Sequence, residues 1–431
     1  MTPSARVSAA IEILGVTFGQ RRPLAEALKD WGIAHRFAGS KDRAAIANLA
    51  FDALRVRASS AYAMGSDEPR ALLIGALHDL RGLDVAGMEA LFSGERFAPE
   101  PLNDAERARI GAWLLEGAPD HIAGNYPDWL APSLGAAFGA DAVEEGRALA
   151  TRAPVDLRVN VLKGARDKAR KLLEHLEPEP TPLSPYGLRI AVGSDGRGPS
   201  MLAETAYVKG LVEVQDEGSQ IAALLAAAKS GEQVLDLCAG GGGKTLALAA
   251  QMDNRGQIYA HDSDGRRLTP IFDRLERSGA RNVQTRPPRG QVDVLADLAG
   301  RCDLVFVDAP CTGTGVWRRH PDAKWRMRPG ALETRRREQE EVLANAVRFV
   351  KPGGRIVYVT CSILIEENEA QAKSFLEQHP NFTAVPAEQM AKAAGLPDLA
   401  RFASAHGPGL RLSPRTAGTD GFYVAVLMAK E

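Results

Sequence analysis

The stretch Val234-Leu235-Asp236-Leu237-Cys238-Ala239-Gly240-Gly241-Gly242-Gly243-Lys244-Thr245 decides the fold. A short apolar run turns through four glycines into the Leu- and Ala-rich segment 246–250. A strand, a glycine turn and a helix in that order bring main chain close to a nucleotide-like ligand at the carboxyl end of the first strand of an α/β sheet. The plainer alternative is a tight strand–helix turn without a ligand. A phosphate-cradling loop of the form Gly-x4-Gly-Lys-Thr is excluded, because Cys238 stands where its first glycine belongs. An adenosyl or dinucleotide site also wants an acid at the end of the second strand, about 20 residues on, to accept the ribose hydroxyls. Asp262 closes Ile258-Tyr259-Ala260-His261-Asp262, 19 residues after Gly243, with Asp264 as a rival. The loop favours an adenosyl ligand but does not separate S-adenosylmethionine from a nicotinamide dinucleotide.

Outward from the loop, the spacing predicts strands at Gln233–Cys238, Gln257–Asp262, Asn282–Arg286, Cys302–Asp308, Arg355–Thr360 and Phe422–Met428. Helices are expected between them, at about 218–229, 244–252, 264–278, 331–350 and 366–378. Short apolar strands alternating with helices imply an open, mostly parallel sheet covered on both faces. Residues 153–205 have a different texture, with strands at Leu157–Val161 and Gly187–Val192, a helix at Ala165–Glu177 and turns at 179–185. Everything before is helical in pattern. Ile46, Leu49, Ala50, Ala53 and Leu54 recur at helical spacing behind Asp42 as an N-terminal cap, and further helices fall near 69–80 and 84–93. A Pro-rich hinge at Ala98–Pro101 breaks this region. The expected domains are therefore 1–98, a helical linker 99–152, a small α+β domain 153–205 and an α/β domain 206–431.

With 431 residues, 45% hydrophobic and 25% charged, the chain reads as a multidomain globular protein. No apolar run is long enough to span a membrane, and Glu12, Arg21 and Arg22 interrupt any signal-like stretch. A cytoplasmic protein is expected, with a monomer as the default. The four cysteines, at 238, 302, 311 and 361, fit neither a disulfide framework nor zinc-ligand spacing, so no metal is expected. The net charge of −1 argues against a broadly basic coat for nucleic acid. One local patch stands out: from Val316 to Arg337 eight Lys/Arg face two acids, with Trp317, His320 and Trp325 interleaved. Such a run is either a solvated face or an RNA-contacting surface in which aromatic rings stack on bases.

Two cysteines fall where strands end. Leu304–Asp308 leads into Ala309-Pro310-Cys311-Thr312-Gly313, and Ile356–Thr360 delivers Cys361-Ser362. Ligands of open α/β sheets sit beyond the carboxyl ends of the strands, so the glycine loop, Asp308, Cys311 and Cys361 should face one crevice. Two thiols at such an edge suggest a covalent nucleophile, which acts as the thiolate and needs help to ionise at neutral pH. C5 of cytosine is a chemistry that requires one, since thiolate addition at C6 makes C5 nucleophilic enough to attack a sulfonium methyl. Asp308 is placed to stabilise such an adduct near N3 and the exocyclic amine. On chemistry alone, either cysteine is the attacking one.

These residues resemble the Sun-type (Nol/Nop/Sun) RNA cytosine-C5 methyltransferases, in particular the bacterial type acting on small-subunit ribosomal RNA. The similar pieces are Gln215–Gln220, Asp236–Thr245, Asp308–Cys311, Arg318–Trp325, Lys351–Gly354, Thr360–Ser362, Glu366–Asn368 and Thr419–Tyr423. They run in the family's order over about 206–431. The resemblance implies a Rossmann-like sheet binding S-adenosylmethionine through Cys238, Ala239, Gly240, Gly241, Gly242, Gly243, Lys244, Asp262 and Asp308. It implies Cys361 of Thr-Cys-Ser as the nucleophile, Cys311 as the group that assists product release, and Asp308 and Lys244 beside them. Ile46–Arg55 is similar to a helix of the all-helical NusB-like RNA-binding domain of the rRNA enzymes, and Leu157–Asn160 to their small α+β domain. The NusB-like start favours rRNA over tRNA as partner.

Two departures stand out. Gly240–Gly243 replaces the family's Ala-Pro-Gly-Gly, and Arg286-Pro287-Pro288-Arg289 occupies the region where an acid follows the third strand, leaving Asp293 or Asp297 as substitutes. A tRNA enzyme, or an RNA-binding ribosome-assembly factor that has lost catalysis, are the alternative readings. The missing acid favours the assembly factor, and the retained cysteines and Asp308 oppose it.

Overall fold

The computed structural model describes residues 1–20, 22–193 and 198–431; Arg21, used above against a leader, lies outside the described residues. The chain forms two compact units. The first takes in 1–153 together with 317–328, and the second comprises 154–192, 198–316 and 329–431.

The first unit is helical. Its longest helices, Pro3–Gln20, Ser40–Arg55 and Pro69–Arg81, bury Ile13, Leu14, Ile46, Ala50, Leu72 and Ile74 in one core. Residues 99–152 belong to this unit, and Asn103 and Glu106 form a reciprocal capping box on Asp104–Ala112. Asp42 does not cap the helix as the spacing suggested. Gly39 occupies the cap, and Asp42, in the first turn, accepts from Arg6 Nε at 2.8 Å and the chain's amino terminus at 3.3 Å. An ammonium and a guanidinium outcompete the main-chain amides for that carboxylate.

The second unit contains two sheets. In the smaller, β1 (Val155–Val159), β2 (Glu179–Pro180), β3 (Gly187–Ile190) and β4 (Val212–Val214) run antiparallel in the order β2-β3-β1-β4. The larger contains β5 (Gln233–Asp236), β6 (Gln257–Ala260), β7 (Val283–Thr285), β8 (Cys302–Asp308), β9 (Val350–Thr360), β10 (Phe382–Ala384), β11 (Leu410–Leu412) and β12 (Phe422–Ala429). Its order is β10-β12-β9-β8-β5-β6-β7, with β11 on β12. Strands β5 to β9 pair in parallel, whereas β10, β11 and β9 all pair antiparallel with β12. Order reverses at β5, the topological switch point where such sheets bind ligands.

Five central strands read as continuous apolar runs because both their faces are covered. Phe306 and Val357 pack on one side, Val305, Val307 and Tyr358 on the other. Strand β9 starts earlier than expected because Lys351–Gly354 bulges from the ladder: Cys302 pairs with Val350, but Leu304 pairs with Arg355. The three-residue strands β10 and β11 carry too few residues to show alternation, and neither was legible in the sequence. Among the described residues no helix is long and apolar enough to cross a membrane.

Candidate active site

The glycine loop leaves β5 and enters the helix Gly243–Gln251. Gly240 and Gly242 have φ of +49° and +81°, and a Cβ on Gly242 would lie 2.3 Å from Ile271 Cγ1. Only glycine fits that position. The turn is then tied from three sides. Gly240 N donates to Asp262 Oδ2 at 3.0 Å, Arg274 donates to Gly241 O at 2.8 Å, and Arg158 donates to Gly243 O at 3.3 Å. Arg158, buried in β1 and held by Gln215 at 2.6 Å, has its pKa lowered to about 10 by burial. Neither Arg158 nor Arg274 was expected here; for Arg158 the available signal was a charged residue inside a strand.

Three carboxylates line the turn. Asp236 is fully enclosed, accepts from Thr245 Oγ1 at 2.6 Å through Oδ2, and has no partner for Oδ1. Its pKa is raised to about 7, chiefly by burial, which Thr245 and Lys244 partly offset and the charges of Asp308 and Asp262 reinforce. Facing these acids are the half-buried Lys244, 2.7 Å from Asp308 Oδ2, and the more exposed Arg267, 3.8 Å from Asp262. Burial would lower the Lys244 pKa, but Asp308, then Cys361 and Asp236, leave it raised. Asp236, Asp262 and Asp308 thus line the turn together, acceptors that suit the hydroxyls and cationic centres of an adenosyl ligand. Asp264 instead caps the helix Gly265–Leu268 and pairs with Arg266. Cys238 is beside the turn, its thiol held protonated by burial.

The cysteines meet on the other side of β5. Cys311 Sγ and Cys361 Sγ are 3.3 Å apart. The Cys311 loop is threaded through a gap that admits no side chain: Gly315 N donates to Cys361 O at 2.9 Å, Gly421 N donates to Gly315 O at 2.8 Å, and a Cβ on Gly315 would lie 2.2 Å from Gly421 O. Glu367, buried, accepts from Thr312 N (2.8 Å), Thr312 Oγ1 (2.5 Å) and Gln339 Nε2 (3.1 Å). Asn368 takes the Thr360 hydroxyl (2.5 Å) and donates to Ser362 O (2.9 Å), fixing the Thr-Cys-Ser corner. Glu367 and Asn368 were visible only as a motif; their roles depend on loops that meet in space.

The Cys311 thiol is raised well above its usual pKa, first by its hydrogen bond to Cys361, then by burial and the charges of Cys361 and Glu367. Cys302 is at the opposite end of β8, buried, its thiol pushed up to about 12 by burial, and takes no part.

Asp293 and Asp297, the possible substitutes for an acid after β7, are half-exposed and paired with Arg348 and, at 2.9 Å, Arg286, and both line a surface pocket with Thr285, Arg286 and Pro287. One expectation needs correction. The basic stretch 316–337 is not one open surface. Its first part, 317–328, belongs to the helical unit, where Trp317, Arg318 and Lys324 are buried. Lys324 Nζ donates to Asn125 O at 2.6 Å and Arg55 O at 3.0 Å, with its pKa well lowered by burial. Arg335, Arg336 and Arg337, on the helix Pro329–Val347, pair with Glu338 and Glu333.

Comparison with known proteins agrees with this geometry. A family profile described as 16S rRNA methyltransferase RsmB/F matches residues 222–428, and one for the ferredoxin-like domain of RsmF/B-like methyltransferases matches 126–195. Ribosomal RNA small subunit methyltransferase B of Sodalis glossinidius is 33% identical over 337 residues, 78% of this chain and 70% of that protein. Its Salmonella paratyphi A namesake is 34% identical over 71% of this chain and 66% of that protein, so the chain spans about two thirds of such relatives. Among solved structures, PH0851 aligns over the whole chain with a TM-score of 0.73 and 24% identity. NSun6 from Pyrococcus horikoshii, solved with SFG, aligns over 71% of the chain and 98% of its own, with a TM-score of 0.60 and 22% identity.

Proposed function

Because the chain belongs to the RsmB/F family of rRNA methyltransferases, with S-adenosylmethionine as cofactor, we propose that it methylates C5 of a cytosine in small-subunit ribosomal RNA through a covalent adduct on Cys361. The observation that carries this reading is the asymmetry of the two thiols. Lys244 feels the charge of Cys361, while Cys311 is held as a protonated thiol against it. Two sulfurs 3.3 Å apart, with the proton kept on Cys311 and the Lys244–Asp308 pair on the cofactor side, support Cys361 as the attacking sulfur and Cys311 as its partner.

Gly240–Gly243, Asp236, Asp262 and Asp308 would hold the cofactor, which supplies an electrophilic methyl on sulfur. Cys361 adds to C6 of a cytosine turned out of its stack, and the enamine carbon C5 takes the methyl. Asp308, oriented by Lys244, accepts a hydrogen bond from the exocyclic amine. When Cys361 has become a thioether, the largest influence holding the Cys311 proton is gone; Cys311 gives that proton to solvent and, as the thiolate, takes the C5 proton. The C5–C6 double bond re-forms and Cys361 leaves as thiolate.

The test is methyl transfer to 30S-derived rRNA, with bisulfite sequencing to locate the base. Cys361→Ala should abolish both methylation and adduct. Cys311→Ala should accumulate a protein–RNA species that survives denaturation. Full activity in Cys361→Ala would exclude the assignment.

A further inference from the structure

Within the helical unit lies a cavity of about 480 Å³ whose lining includes Phe18, Arg57, Asp322, Trp325, Arg326 and Arg328. That is the size range of small-ligand sites, roughly 300–1,000 Å³. Its walls are unusual for a helical core. The Arg57 guanidinium lies 4.5 Å from the Phe18 ring centre and 5.5 Å from that of Trp325. Burial lowers its pKa, and the distant Asp67 offsets only part of this. Among the described residues neither Arg57 nor Arg328 has a hydrogen bond or ion pair, whereas Arg326 is held by Asp322 at 3.2 Å. Trp325 cannot turn away, because its Nε1 donates to Leu54 O at 2.6 Å.

A half-buried guanidinium without an acid is costly to maintain in an apoprotein, and an anion arriving there recovers the cost. Arg57 lies over both rings and Lys324 Nζ is 5.0 Å from the Trp325 ring centre, so a flat base would stack on the guanidinium plane where it meets the rings. We propose that this cavity binds one unstacked nucleotide of the RNA substrate, its phosphate on Arg57 and Arg328 and its base against Trp325 and Phe18. An acidic peptide would use the arginines but not the rings. The RNA origin of the nucleotide rests on the reading in the previous section, while the nucleotide chemistry does not.

The full-length protein is titrated by fluorescence anisotropy with a labelled 12-nucleotide single-stranded oligoribonucleotide across a salt series, alongside Arg57→Gln and Arg328→Gln. Arg328 is exposed, so its replacement does not act through folding. Each variant should weaken binding about 5- to 20-fold and reduce the slope of log K against log salt by about 0.7. A 4-thiouridine oligonucleotide should crosslink to Trp325 or Phe18. S-adenosylmethionine affinity, measured on the same samples, should be unchanged, which separates failure here from failure of the catalytic reading. Unaltered affinity and slope in both variants would overturn the proposal. So would adenosine 5′-monophosphate binding as tightly as the oligonucleotide, or poly-glutamate of equal charge competing as well as RNA.

Discussion

Where β5 and β6 deliver the glycine loop, the crevice wall is main chain; where β8 and β9 deliver the cysteines, it is a knot of side chains. On the cysteine side, Thr312, Gln339, Thr360, Ser362, Glu367 and Asn368 hold one another at hydrogen-bond distance, and the two thiols touch. On the loop side, Asp236 keeps an unpartnered oxygen, three carboxylates crowd together, and arginines rather than acids follow β7. The cysteine wall is closed by its own hydrogen bonds except at Gln339 Oε1, whereas the loop wall leaves a carboxylate oxygen of Asp236 unpartnered among three clustered acids. The difference fits a division of labour. Covalent chemistry needs sulfur held to a fraction of an ångström, whereas a cofactor that must exchange every turnover is better met by groups it completes itself.

Lys244 belongs to both walls, bridging Asp308 to the neighbourhood of Cys361, so its loss should have the largest effect. Lys244→Met keeps most of the buried stem and removes the charge. We expect kcat to fall about 10²- to 10³-fold, the range for deleting one preorganised electrostatic partner. If the ammonium also serves the cysteine side, the pH–rate profile of the variant should differ in shape from that of the wild type. A pH–rate profile of unchanged shape would mean that Lys244 serves only the cofactor side.

Much of this division could be read from residue types, but not its geometry. The glycine loop, Asp308, Cys311 and Cys361 were expected at one crevice, and the structure brings them there, because strand ends in a parallel sheet converge by topology. Part of the basic stretch 316–337 was misread as surface because composition does not tell a solvated lysine from Lys324, whose Nζ is capped by two carbonyls far along the chain. Asp42 failed as a cap for a related reason: the competing cations, Arg6 and the amino terminus, come from another helix. Glu367 likewise acts through a loop 55 residues away. Long-range partners decided each of these, and a periodic pattern carries no record of them.

A smaller effect should come from Asp236, which tests whether the loop side awaits a cation. Its folded pKa of about 7 is above the ordinary 3.8. Between those values the folded protein keeps a proton that the unfolded chain has released. The resulting stabilisation is present at low pH and is lost as pH climbs through 7. A bound cation favours the ionised carboxylate, so cofactor binding should release a proton, and affinity should rise with pH up to about 7, by at most about 10-fold per unit. Isothermal titration in buffers of different ionisation enthalpy measures that proton. Asp236→Asn should flatten the dependence and, by chemical denaturation, be more stable than the wild type at pH 8 and not at pH 4.

The smallest expected change addresses the acid missing after β7. Pro288 packs beside the loop that follows β6: a Cβ on Gly265 would be 3.5 Å from Pro288 Cγ. An acid at 288 would therefore enter the cofactor wall rather than the surface pairs of Asp293 and Asp297. Pro288→Asp adds one acceptor at a partly solvated site where three carboxylates already stand. The gain in S-adenosylmethionine affinity should then be about 3-fold, near the modest end for a single new hydrogen bond. A gain of 10-fold or more would mean that the loop wall is deficient as it stands, and that the contrast between the two sides reflects a lost contact. No gain would mean that Gly240–Gly243 and the three carboxylates already complete the site, with the wall open only until the cofactor closes it.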